Sequence, residues 1–180
     1  MDIEKLALPG VLLIKPRSFP DVRGFFRETF HQDRYEKASI PTTYVQDNLS
    51  FSKKNVIRGM HFQPGQSKLV SVAMGSIFDV AVDIRASSPT YGQWIGVILD
   101  AEKGEQLFIP DGFAHGFCAL TDAVLSYKVS SLYNPDTEKS FRYDDPEVGI
   151  EWPITDPIIS SRDLNAPQLK EIYEALDHRR

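Results

Sequence analysis

The side chains of this sequence that could move protons near neutral pH are few, and their neighbours narrow the choice. Of the four histidines, His178 lies in a charged tail and His31 follows Phe30 in a loop-like stretch, which suits solvated or structural roles. His61 and His115 differ. Each sits in a strand-like run beside a glycine, in Gly59-Met60-His61 and His115-Gly116, with Arg58 and Lys68 near the first. A lone strand histidine is ordinarily a satisfied core residue, but two of them beside positive charge give an acid–base role equal standing. Imidazole next to an ammonium suits abstraction of a proton alpha to a carbonyl. A ketone α-proton is less acidic than imidazolium by ~10 pKa units or more, at about 1.36 kcal/mol per unit. Histidine alone cannot close that gap, so fixed positive charge at the enolate oxygen, the role open to Lys68, must carry much of it. Inversion also needs an acid on the opposite face. Tyr127, between Ser126 and Lys128 in another strand-like run, is a candidate, and on spacing alone is equally a core-edge aromatic.

Other chemistries have less support. Gly104, Pro110, Gly112 and His115 have the spacing of the second cupin motif, whose histidine binds a metal, but the asparagine expected four residues later is Ala119. Where the first cupin motif would place two histidines and a glutamate, this chain has His61, Gln63 and Lys68. A cation in place of a carboxylate ligand repels a divalent ion, and glutamine is a poor substitute for imidazole. The expectation is a cupin-like site with no metal and no other cofactor. Cys118 among Phe117, Ala119 and Leu120 reads as a buried thiol. No serine elbow, phosphate loop or dinucleotide fingerprint is present. Arg23, Arg27 and Arg58 are of the type that grips a diphosphate bidentately, although without other context most such arginines are plain surface charge.

The elements that must position these groups are mostly strands. Strand-like runs occur at residues 11–14, 45–49, 56–63, 68–74, 76–85, 94–99, 106–109, 115–120 and 124–130, separated by turn signals such as Pro64-Gly65, Gly75, Gly92 and Pro110-Asp111-Gly112. Within 77–84 the acidic residues share one parity and larger apolar groups crowd the other, the period-2 sign of a strand with a polar neighbour face. A short helix is expected at 33–38, stopped by Pro41. A second is expected near the end, capped by Asn165, opened by Pro167 and carrying Leu169, Ile172, Tyr173 and Leu176 on one stripe. Many short strands with regular turns predict a mainly β sandwich with short helices near the termini, and no repeat or linker divides residues 1–180, so one domain is expected.

Composition sets the outer limits. With 180 residues, 42% hydrophobic and 25% charged, the chain is of ordinary globular make-up. A formal net charge of −5 argues against non-specific binding to nucleic acid or to anionic membranes, while leaving room for one basic pocket. The single cysteine excludes an intrachain disulfide. The mixed residues 1–10 do not read as a signal peptide, and no run is long enough to span a bilayer, so the expected location is the cytoplasm.

Longer blocks then add a resemblance. Asp21-Val22-Arg23-Gly24-Phe25-Phe26-Arg27-Glu28, Arg58-Gly59-Met60-His61-Phe62-Gln63, Asp83-Ile84-Arg85 leading to Ser88-Pro89-Thr90-Tyr91-Gly92, Ile109 through Phe117, Tyr133-Asn134-Pro135, Glu151-Trp152-Pro153 and Ser161-Arg162-Asp163 together resemble the dTDP-4-dehydrorhamnose 3,5-epimerases, in order and over nearly the whole chain. The resemblance implies a jelly-roll sandwich and a homodimer that exchanges strands. It implies a dTDP-sugar substrate inverted at C3 and C5 beside a 4-keto group. By the same likeness His61 is the base, Asp163 orients it, Lys68 stabilises the enolate and Tyr127 returns the proton. His115 supports the pocket, Arg23 and Arg58 meet the diphosphate, and Glu28, Gln46, Asn48 and Tyr133 lie near nucleotide or sugar. Departures are Met60 for the usual leucine, a swap of similar volume, Leu132 before Tyr133, and the stretch Ser140-Phe141-Arg142-Tyr143. They bear on the exact substrate more than on the reaction type. A neighbouring activity, epimerisation at C3 only or C5 only, would share the same catalytic residues. A second, 3,4-ketoisomerisation, belongs to a related scaffold, and the pairing of His61 with Asp163 and Tyr127 favours epimerisation over it. A non-catalytic ligand-binding cupin is the reading from another class.

Overall fold

The computed structural model describes residues 1–172, and their strands form two facing antiparallel sheets. In chain order the elements are β1 Asp2–Lys5, β2 Leu12–Lys15, β3 Ser18–Asp21, β4 Gly24–Arg27, α1 Gln32–Lys37, β5 Gln46–Ser52, β6 Ile57–Phe62, β7 Lys68–Met74, β8 Ser76–Asp83, β9 Trp94–Asp100, β10 Gln106–Ile109, β11 Phe113–Ala119, β12 Ala123–Val129, β13 Lys139–Ser140 and α2 Ser161–Leu164. The first sheet runs β1-β2-β10-β7-β12-β5 and the second β13-β6-β11-β8-β9, while β3 and β4 pair only with each other. This is the jelly-roll sandwich that the turn-punctuated strands imply.

The core between the sheets is a cluster in which Val70, Val72, Leu107 and Leu125 of the first sheet meet Ile77, Ala81, Leu99 and Phe117 of the second. Each such side chain taken fully out of water contributes ~1.5–3 kcal/mol. A second apolar cluster joins Met60, Phe62, Val80 and Val82 to Phe141, Val148, Leu169 and Ile172. It covers the outer face of the second sheet with the C-terminal part of the chain. Asp145 fastens that cover, its carboxylate accepting from the backbone N–H of Glu147 at 2.9 Å and of Leu169 at 2.7 Å. The middle of the second sheet is therefore buried on both sides, and β11 has no exposed residue.

This burial changes the meaning of the acidic parity in 77–84. Asp79 and Asp83 are both fully buried, so that face is not solvated. Asp83 is held by Arg85, Ser88 and Thr90, and Asp79 serves the site described below. The short helix expected at 33–38 is α1. Asn165 does not cap a following helix. It is instead the C-cap of α2, its side-chain amide donating back to Ser161 O at 2.7 Å. A helical turn then includes Leu169 and Ile172, both buried, whereas Tyr173, Leu176 and His178 lie outside the described residues.

One irregularity positions the site. Between the pairs His115–His61 and Phe117–Arg58 the register of β6 and β11 shifts, so Gly59 and Met60 oppose Gly116 alone. This β-bulge turns Arg58 and His61, three residues apart, to the same side, which a regular strand of period two cannot do. The bulge needs glycine on both strands. Gly59 has φ +141°, and a Cβ there would come 2.6 Å from Gly116 Cα. Gly59→Ala is therefore expected to destabilise the fold by about 2–3 kcal/mol, read as a lower urea midpoint. An unchanged midpoint would show that the bulge tolerates a side chain.

Candidate active site

A cavity of about 430 Å³ opens between the two sheets. Its first wall uses alternate residues of two strands, Gln46, Asn48 and Ser50 of β5 and Leu125, Tyr127 and Val129 of β12, as a period of two requires. Lys68 of β7 completes that side. The facing wall carries Arg58 and His61 from β6 with His115 and Phe117 from β11, and the rim adds Gln66, Tyr133, Glu138 and Arg162.

Asp163, at 3% exposure, meets His61 with Nε2 2.6 Å from Oδ1. Its other oxygen accepts the Gly59 N–H at 3.4 Å, and its own N–H donates to Ser160 Oγ at 3.1 Å, capping α2. Burial pushes this carboxyl up, yet the hydrogen bond and charge of His61, with the Gly59 and Ser160 contacts, hold it below the ordinary aspartate value. With Nε2 engaged by the carboxylate, Nδ1 is left as the basic nitrogen.

Lys68 is buried, and its ammonium donates to His61 O at 3.3 Å. Burial lowers its pKa to about 8, against the opposing pull of Glu138 and Asp79. Beside it, His115 Nε2 lies 2.7 Å from Asp79 Oδ1, and Asp79 Oδ2 is buried with no hydrogen-bond partner. Tyr127 stands on the sheet opposite His61. Burial, then the carboxylate of Glu138, raise its pKa, with Arg58 opposing, so it remains a protonated acid. Arg58 is steadied by Ser52 Oγ at 3.0 Å and Phe51 O at 3.1 Å. Gln46 donates to Asn48 Oδ1 at 2.8 Å and accepts from Tyr133 N–H at 2.9 Å.

Nine of the eleven residues singled out in the sequence are thus brought together: eight line the cavity, and Asp163 stands directly behind His61. Arg23 and Glu28 are not among the lining residues. Arg23 pairs with Asp21 at 2.6 Å and Glu28 with Arg34 at 2.6 Å. Sequence reasoning missed Asp79, whose signal was a carboxylate in an apolar strand, and Arg162, next to Asp163. It also missed Glu138, which carries no local signal. Gln63, at the position of a cupin metal ligand, is occupied structurally: it donates to Leu132 O at 2.9 Å and accepts from Asn134 N–H at 2.8 Å. Among the described residues no three His, Cys, Asp or Glu side chains gather as a metal-binding group.

A carboxylate-oriented imidazole on one wall and a phenol on the other, with a buried ammonium lining the same cavity, define an acid–base enzyme on a jelly-roll frame, suited to moving a carbon-bound proton from one face to the other. Comparison with known proteins narrows the class. The profile of the dTDP-4-dehydrorhamnose 3,5-epimerase family matches residues 5–171. A dTDP-4-dehydrorhamnose 3,5-epimerase of Salmonella typhimurium is 50% identical over 177 residues, 95% of this chain and 97% of its own. Among solved structures, a 4-keto-6-deoxy sugar epimerase from the novobiocin gene cluster of Streptomyces spheroides superposes with a TM-score of 0.94 at 41% identity, covering 97% of this chain and 90% of that one. A dTDP-6-deoxy-D-glucose-3,5-epimerase of Legionella pneumophila, solved with dTDP-4-keto-L-rhamnose, gives a TM-score of 0.93 at 45% identity, covering 97% and 96%. The chain belongs to the dTDP-4-dehydrorhamnose 3,5-epimerase family, and its class is that of carbohydrate epimerases.

The depressed Lys68 titration sets a stability signature. Between pH about 8 and the ordinary lysine value of 10.5, the unfolded chain holds a proton that the folded chain has lost, so stability rises with pH through that window. Lys68→Met removes the cost of a buried charge. The variant is expected to be more stable than the parent at pH 7 by up to about 3 kcal/mol, to lose this advantage by pH ~10.5, and to lose activity. Equal stability of the two proteins at pH 7 in urea titrations would contradict this.

Proposed function

We propose that this chain inverts C3 and C5 of dTDP-4-keto-6-deoxy-D-glucose by removing and returning protons beside the 4-keto group, giving the L-rhamnose precursor. The observation that carries the reading is the 2.6 Å contact of His61 with Asp163 across the cavity from Tyr127. His61 abstracts the proton through Nδ1, with Asp163 fixing the tautomer and stabilising the imidazolium. Lys68, held in a low-dielectric setting, stabilises the enolate oxygen. Tyr127 delivers a proton from the other wall, which inverts the centre. The same set serves both carbons, because each is adjacent to one carbonyl. Arg58 faces the diphosphate, Gln46, Asn48 and Tyr133 hold nucleotide and sugar, and His115, backed by Asp79, supports the pocket.

Arg23 and Glu28 act, on this reading, in the cavity of a second copy. The β3–β4 hairpin leaves Phe19, Phe25 and Phe26 exposed, and the outward side of β5 leaves Leu49 and Phe51 exposed. Apolar groups of that size on a soluble surface mark an association site. β5 is an edge strand with a free hydrogen-bonding side. Each hairpin then docks at the β5 side of its partner and carries Arg23 to the diphosphate there, so the active form is a homodimer in the cytoplasm, where the lone, buried thiol of Cys118 stays reduced.

Proton NMR of the substrate incubated with the protein in deuterium oxide tests both parts. The parent is expected to place deuterium at C3 and C5, and His61→Ala to lower both rates by at least about 10²-fold. Arg23→Ala is expected to bind poorly, and a mixture of the two variants to regain activity that neither has alone. Label at one carbon would mean a single-centre epimerase, no label would remove the epimerase reading, and no recovery in the mixture would remove the exchanged hairpin.

A further inference from the structure

The cavity wall carries one ion pair that the proton transfers do not use. Arg162 Nη2 donates to Glu138 Oε2 at 2.5 Å, and both residues line the cavity. Their places in the chain give the pair its interest. Glu138 immediately precedes β13, whose Ser140 pairs with His61 on β6. Arg162 immediately precedes Asp163 on α2. The ion pair therefore links the two segments that carry the members of the dyad, closing a ring through Ser140, His61, Asp163 and Arg162.

The ring matters because α2 has only four residues. A single helical turn bears the cost of nucleation without the return of propagation, so outside contacts must set its direction. Those contacts are the Ser160 cap, the bridge from Val56 to Ile158 just upstream, the Gly59 N–H on Asp163 Oδ2, the dyad itself and the pair with Glu138. Glu138 is a firm anchor. Its N–H donates to Asn134 O at 2.9 Å, and the Asn134 N–H donates to Gln63 Oε1 at 2.8 Å, which ties the loop to β6. The Glu138 side chain is 17% exposed, so its charge is screened less than that of a surface carboxylate.

We propose that Glu138 and Arg162 are positioning residues for the reaction, the pair holding α2 so that Asp163 meets His61 while Glu138 keeps a fixed carboxylate in the pocket shared by Lys68 and Tyr127. This rests on the epimerase reading above. The carboxylate favours the ammonium of Lys68 and the protonated phenol of Tyr127, the forms that the reaction needs. The other charged or titratable groups facing them are Asp79 of β8, His115 of β11, Arg58 and His61 of β6, Tyr133 of the rim and Arg162 of α2.

The test compares Glu138→Gln, Glu138→Asp and the parent in two ways. In steady-state kinetics, Glu138→Gln is expected to lower kcat about tenfold and to move the alkaline limb of kcat down by about one pH unit. KM should change little, and Glu138→Asp should recover most of both. In an NMR titration of the labelled Lys68 side chain, which needs no turnover, Glu138→Gln is expected to lower the midpoint. A change confined to KM, or an unmoved limb together with an unmoved Lys68 midpoint, would overturn the positioning role. Failure of the parent to exchange substrate protons would count against the epimerase reading alone, since the Lys68 titration still decides the role of Glu138.

Discussion

An ionised side chain survives inside a protein only where opposite charge and hydrogen bonds replace the water it has lost. This constraint organises the space between the two sheets. Asp163 is buried and answered by His61, Gly59 and Ser160. Asp79 is buried and answered by His115. Among the described residues, Lys68 is answered by His61 O and by the more distant carboxylates of Asp79 and Glu138. The first is a settled pair, the second leaves Asp79 Oδ2 buried without a hydrogen-bond partner, and the third is held at a cost. That imbalance leaves a cation short of partners in a cavity, where an enolate oxygen would be the missing one.

The backbone serves the same end. Sheets keep side chains in strict alternation, which would send Arg58 and His61 to opposite faces. The bulge at Gly59 and Met60 breaks that alternation once, so that Arg58 and His61 share one wall of the cavity. The close approach of Gly59 to Gly116 is what allows the extra residue. The C-terminal segment then returns across the second sheet, pinned by Asp145, and delivers Asp163 to a histidine 102 residues away in the chain. The cover of the sandwich thus supplies the partner of His61, and that carboxylate stands on the one-turn α2.

Much of this was legible beforehand because strand alternation and turn residues are local. The runs at 68–74 and 106–109 coincide with β7 and β10, the run at 45–49 stops three residues short of the end of β5, and the others differ by a residue or two. The histidines stood out by residue type alone. What stayed hidden depends on packing. The β3–β4 hairpin contains Pro20 and leaves its phenylalanines exposed, so no core-facing period marks it, and β13 is two residues long. Asp79 looked like part of a polar face of its strand, and alternation does not say which side is covered. Only the resemblance pointed to Asp163, since no spacing rule joins positions so far apart.

The central claim is that Asp163 fixes the tautomer of His61 so that Nδ1 is the base. Nitrogen-15 NMR of the His61 ring at neutral pH tests it most directly. The account predicts that the neutral form of the ring carries its proton on Nε2, shared with Asp163, and that its Nδ1 shifts when a substrate analogue binds. A neutral ring protonated at Nδ1, or one indifferent to Asp163→Asn, would contradict it.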